Sequence, residues 1–143
     1  MIPALRLFQY LIVLALPFLC AATWAADGAI VVNQPDVKWA ACGKDPPWDV
    51  CQRFVVRGDP AKEASDNMLR FPKGFAFPKH WHDNAEQVVV TAGSMVISFE
   101  GGREQTVRAG GFMYIPPKLA HWGTCPDGCT FFLGVVGADS YYE

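Results

Sequence analysis

Histidine is scarce in this chain, with three residues in 143, all between positions 80 and 121. Charge is thin as well: Asp, Glu, Lys and Arg make up 18%, the formal net charge is -2, and the cationic side chains are scattered. A nucleic-acid-binding surface needs a basic stripe to displace counterions from phosphates, so that class is excluded. No Gly-rich phosphate loop of the P-loop or dinucleotide type occurs, nor any internal repeat or low-complexity tract. The length allows one domain of ordinary size and not two. A hydrophobic fraction of 51% excludes a wholly disordered chain.

What is abundant is turn chemistry between short apolar runs, with 13 Gly and 11 Pro separating stretches rich in Val, Ile and Phe. This texture predicts an all-β domain. Strands are expected at Gln52–Val56, Met68–Phe71, Phe75–His82, Gln87–Thr91, Ser94–Glu100, Glu104–Arg108, Phe112–Ile115, Ala120–Gly123 and Thr130–Val136. Ala61–Asp66 reads as a helical turn, and Gly101-Gly102 as a two-residue hairpin turn with positive φ at both positions. Residues 27–51 are rich in loops and broken by Pro35, Pro46 and Pro47, an N-terminal extension expected to pack on a barrel formed by residues 52–143.

Residues 1–26 read as a secretory signal peptide: Arg6 supplies the positive start, Leu7–Cys20 an apolar core, and Thr23-Trp24-Ala25 a small-x-small cleavage pattern. The alternative is a membrane anchor, for which the apolar core is short. Cleavage leaves a periplasmic or secreted chain with no membrane association. In that oxidising setting Cys42, Cys51, Cys125 and Cys129 form an even set with three connectivities. Local pairing, Cys42–Cys51 and Cys125–Cys129, is favoured because each pair brackets a proline-containing turn. The spacing is neither CxxC nor that of a zinc ribbon, which favours structural disulfides over metal or redox roles.

All three histidines fall at metal-ligand spacing. His80-Trp81-His82 on a strand puts both imidazoles on one face and Trp81 on the other. Glu86 follows after a polar stretch that can turn back, and His121 comes 35 residues after Glu86, just past Pro116-Pro117. Three nitrogens and one carboxylate suit a divalent transition metal. Iron, manganese or nickel at five- or six-coordination would keep open positions for chemistry, and affinity order also admits copper or zinc. If Glu86 faces inward, so do Val88 and Val90. Parity with Pro116 groups Phe112 and Tyr114 on one face, which makes Tyr114 a candidate pocket acid/base or hydrogen-bond donor beside Glu86. Trp81 and Trp122 are expected on the outer face or in a dimer contact. With every histidine assigned, none remains for a Ser-His-Asp arrangement.

Gly74, His80, His82, Glu86 and Gly93 resemble the first cupin motif, G(x)5HxH(x)3–4E(x)6G, at every specified position. Gly110, Pro116 and His121 fit the second, G(x)5PxG(x)2H(x)3N, with Lys118 in place of its glycine and Cys125 in place of its asparagine. Sixteen residues separate the two, as in single-domain cupins. The resemblance spans residues 52–137 and implies a double-stranded β-helix, or jelly-roll barrel, with one metal held inside by His80, His82, Glu86 and His121. It also implies a small-molecule ligand in the barrel and a homodimer through sheet edges. Lys118 in that turn is expected to mean that positive φ is not needed there.

Two function classes follow. One is a metalloenzyme for a small organic molecule, foremost a dioxygenase with Glu86 as ligand or proton acceptor, and otherwise a lyase or isomerase using the metal as Lewis acid and a tyrosine as base. The other is a non-enzymatic module that captures a metal or metabolite. They differ in whether the site keeps an exchangeable position.

Overall fold

A computed structural model of the chain describes residues 28–143, so the signal-peptide reading of residues 1–26 lies outside the described residues. Among the described residues there are nine strands: β1 Ala40–Ala41, β2 Gln52–Gly58, β3 Ser65–Phe71, β4 Phe75–His80, β5 Glu86–Phe99, β6 Gln105–Arg108, β7 Phe112–Ile115, β8 His121–Cys125 and β9 Cys129–Val135. Two single-turn 3-10 segments, Gln34–Asp36 and Trp48–Val50, are the helical elements among the described residues. No helix there is long and apolar enough to cross a membrane.

Every pairing is antiparallel. One sheet runs β1-β2-β3-β9-β5-β7 and the other β6-β5-β8-β4, so β5 belongs to both. Its first half pairs with β9 and β7, its second half with β6 and β8. The result is a jelly-roll barrel, and the inner faces follow from period-two alternation. Leu69 and Phe71 on β3, Phe131, Leu133 and Val135 on β9, and Val88 and Val90 on β5 are buried. A bulge between Val90 and Ala92 shifts the inward parity, so that Met95 and Ile97 face the core beyond it. Phe71, Phe75, Phe77 and Phe131 pack ring on ring, with Phe71–Phe75 centroids 4.6 Å apart.

Several local expectations are corrected. The strands expected at Gln87–Thr91 and Ser94–Glu100 are one 14-residue strand, because Gly93 bends it without breaking it. The helical turn is real but earlier and shorter: Lys62 and Glu63 N–H donate to the Asp59 carbonyl, and strand pairing has resumed by Ser65. Gly101 alone of its pair takes positive φ, at 73°. The β5–β6 ladder stops at Ile97–Gln105, so the connection is longer than a two-residue hairpin.

Lys118 also departs from expectation, with φ at 64°, the left-handed conformation that glycine adopts freely. Its N–H donates to the His82 carbonyl at 2.8 Å, which holds the chain there despite the cost of a Cβ. Lys118→Gly is therefore expected to stabilise the fold by roughly 1 kcal/mol in urea unfolding, with the m-value unchanged. A loss of stability would show that the lysine stem contributes packing that outweighs the strain.

The N-terminal segment completes one wall. Both cysteine pairs stand at disulfide distance, with Cα separations of 5.3 Å for Cys42–Cys51 and 5.4 Å for Cys125–Cys129. Cys51 and Cys125 are fully buried. The first pair places Trp48 edge-on to Phe71 and beside His80 and Tyr141.

Candidate metal centre

The HxH pair reaches the barrel interior through a bulge. On β8 one residue, Trp122, lies between His121 and Gly123; on β4 two, Pro78 and Lys79, lie between their partners His80 and Phe77. The extra residue falls at Pro78-Lys79, on an edge strand, where proline's missing N–H breaks no ladder bond. Without it, alternation from inward Phe75 would send His80 to the outer face. The strand ends at His80 rather than running on to His82. Trp81 instead pairs with Tyr142 near the C-terminus, its N–H donating to the Tyr142 carbonyl at 2.9 Å with a return bond of 3.1 Å. His121 opens β8 directly opposite His80, and Glu86 opens β5.

His80, His82 and His121 each offer one ring nitrogen within 4.8 Å of the others. Glu86 Oε1 lies 3.4 Å from His82 Nε2, and its Oε2 3.6 Å from His121 Nε2. These separations are long for hydrogen bonds, but they are close to the ligand-to-ligand edge of ~3.0–3.5 Å that metal bonds of ~2.1 Å produce. All four side chains are nearly buried.

Each imidazole is oriented from behind. Nδ1 of His80 lies 2.7 Å from the Pro78 carbonyl, Nδ1 of His121 lies 2.9 Å from the Leu119 carbonyl, and Nδ1 of His82 meets the Ser140 carbonyl. A carbonyl only accepts, so Nδ1 carries the proton and Nε2 presents its lone pair to the centre. Burial pulls the His80 imidazole down to about 4 and lowers His121, which keeps both neutral, the form that binds a metal. Burial pushes the Glu86 carboxyl up to about 7 in the absence of an ion, against the attraction of His82.

The three histidines and Glu86 border a cavity of about 400 Å³ with a mostly apolar wall, including Phe71, Phe77, Val88, Met95, Ile97 and Phe131. Tyr114 does not line it. Glu86 pairs with Ile115 and Val88 with Met113, and directly paired residues share a face, so Met113 and Ile115 point inward. Phe112 and Tyr114 are consequently 60% and 55% exposed. The parity inferred from Pro116 fails because that residue lies past the strand end. The phenol at the site is Tyr141, stacked on His80 with centroids 4.8 Å apart. Its hydroxyl donates to Glu143 at 3.0 Å, and burial together with that carboxylate raises it to about 12.

Tyr141 belongs to a C-terminal strap that the strand pattern did not disclose. Asp139 N–H donates to the Pro60 carbonyl at 2.7 Å, Asn84 Nδ2 donates to the Ala138 carbonyl at 2.8 Å, and Asp83 N–H donates to Ser140 Oγ at 2.8 Å. Trp81 and Tyr142 stack outside, with centroids 4.2 Å apart. Trp122 is on the outer face, with Lys79 Nζ 5.6 Å from its ring centroid. The Tyr-Tyr pair at 141–142 was the available signal, since two adjacent aromatic rings need surfaces to cover. Ending the chain at Gly137 removes the carbonyl behind His82 and is expected to weaken metal binding by about 10–100-fold in chelator competition. Ser140→Ala keeps that carbonyl and should bind nearly as tightly as wild type. Equal losses in both variants would show that the carbonyl does not orient the ring.

A cupin-domain family profile matches residues 67–132. No curated protein sequence matches the chain. Among solved structures, an RmlC-like cupin from Shewanella frigidimarina superposes with a TM-score of 0.62 at 19% identity, covering 75% of this chain and 89% of that one. The polyketide cyclase RemF from Streptomyces resistomycificus gives 0.67 at 19% identity, covering 80% and 84%. The DMSP lyase DddQ from Ruegeria pomeroyi gives 0.60 at 14%, covering 78% and 68%. At these identities the likeness concerns the fold. Together with the jelly-roll topology, the profile match identifies residues 67–132 as a cupin domain.

Proposed function

We propose that this protein is a metal-dependent enzyme acting on one small organic molecule inside the barrel, with a divalent transition metal held by His80, His82, Glu86 and His121. The observation that carries this reading is the convergence of three carbonyl-oriented imidazoles and a buried carboxylate on one side of a mostly apolar cavity. Iron, manganese or nickel suits three nitrogens and one oxygen with a position left for substrate, while copper or zinc also fits the donors. Such an ion supplies Lewis-acid or oxygen-activating chemistry at its open position.

Within that class, proton-transfer chemistry of the lyase, isomerase or cyclase kind is favoured. Glu86, a buried carboxylate at the cavity, can accept a proton from a bound substrate, and Tyr141 stays protonated at neutral pH beside His80. The structural neighbours that are a polyketide cyclase and a DMSP lyase are compatible with this choice. A dioxygenase is the second reading, supported by the three-nitrogen, one-oxygen donor set. Oxygen uptake separates them: metal-loaded protein turning over small substrates without consuming O₂, and losing turnover in Tyr141→Phe, supports the first. Stoichiometric O₂ consumption supports the second. A tightly bound ion with no exchangeable coordinated water would identify a capture module instead. Export belongs to the same proposal: residues 1–26 as a cleaved leader and two disulfides fit a periplasmic or secreted chain, and the mass of protein from that compartment would read both.

A further inference from the structure

The cavity wall carries one cationic side chain among the described residues, Arg53 on β2. Its Nη2 donates to Asp139 Oδ2 at 3.0 Å, and the other Asp139 oxygen lies 3.9 Å from His82 Nδ1. The guanidinium therefore stands one side chain away from the ligand shell. Arginine presents five N–H donors in a planar fork. Arg53 Nε is buried and has no hydrogen-bond partner among the described residues. That nitrogen is closed to solvent, so the donors that an acceptor arriving in the cavity can meet are the Nη protons not committed to Asp139.

Charge balance points to the same kind of ligand. Arg53 and Asp139 cancel each other. A divalent ion with Glu86 as its single carboxylate ligand keeps one positive charge in a poorly solvated space, which one anion neutralises. The rest of that space is apolar, with Phe71, Phe77 and Phe131 grouped on one wall. Resting on the metal-centre reading, we infer that Arg53 is a specificity-determining residue that selects a small monocarboxylate with an apolar body. The carboxylate sits on the guanidinium edge, and the body packs on the phenylalanine wall.

The test is calorimetric titration of Mn²⁺-loaded full-length protein with benzoate and with benzamide, its neutral isostere, alongside metal analysis of each sample. Benzoate is expected to bind at least about tenfold more tightly, a charge-assisted bond against a neutral one. Arg53→Met should abolish that preference with manganese content unchanged, and Arg53→Lys should restore part of it. Asp139→Asn breaks the ion pair but keeps the guanidinium, so it should retain or increase the preference; a merely structural pair would make it behave like Arg53→Met. No preference in wild type, including no binding of either compound, or a preference that survives in Arg53→Met, overturns the inference. Absence of bound manganese overturns the metal-centre reading instead. In that case an Arg53-dependent preference in the metal-free protein sustains the selectivity, and its absence removes it.

Discussion

His121→Ala is expected to reduce bound metal from near one equivalent to near none, with chelator competition showing an affinity loss of more than about a hundredfold. His121 opens β8 directly opposite His80, and its Nε2 lies 3.6 Å from Glu86, so it joins His80 on β4 to Glu86 on β5. Perturbing the group behind a ligand costs about 10–100-fold, and removing the ligand itself costs more. The fold should survive, because the phenylalanine cluster and the β3–β9–β5 ladders do not involve the imidazole. His82→Ala should behave similarly in metal content. Tyr114→Phe should leave metal content and turnover at wild-type values, since its ring faces solvent. Retention of one equivalent in His121→Ala would mean that the ion is held elsewhere and that the convergence of imidazoles serves substrate directly.

Gly93→Ala should destabilise the protein by roughly 3 kcal/mol or more, read as a lower urea midpoint. Gly93 lies within β5 where that strand passes from one sheet to the other, with φ at 71°. A Cβ there would stand 2.1 Å from the Gly128 carbonyl oxygen, a backbone atom in the turn stapled by Cys125–Cys129. Neither partner can yield cheaply: the positive φ is required by the bend, and the carbonyl is tethered beside β9. The same substitution at Gly101, which also has positive φ, meets nothing within 4 Å and should cost only the backbone strain, about 1–2 kcal/mol. If both variants lose equal stability, the close approach at Gly93 contributes nothing and the strain alone decides.

The contrast between these residues shows where sequence reading works. Gly93 and the grouping of His80, His82, Glu86 and His121 were legible because each is a fixed residue type at a fixed spacing, insensitive to element boundaries. Strand existence was legible for the same reason, since period-two alternation in β3 and β9 is a local property. Parity failed for Tyr114, and it would mislead if carried through a bulge of the barrel. The Pro78-Lys79 bulge turns His80 inward, the Val90–Ala92 bulge resets β5, and the strand end before Pro116 reverses the assignment of Tyr114. One extra residue exchanges the two faces of a strand, and only the register against a neighbouring strand reveals it.

By itself, the sequence determined the all-β class, the metal-ligand set proposed here and the local partners of four cysteines, because each depends on residue type and short spacing. Only the tertiary structure decided that Tyr141 rather than Tyr114 reaches the site, that the Ser140 carbonyl orients His82, and that Arg53 shares the cavity with Asp139. These pairings join residues 58 to 86 positions apart through irregular backbone. No periodicity encodes such contacts; they arise when a closed barrel brings its rim and its C-terminus to the same place.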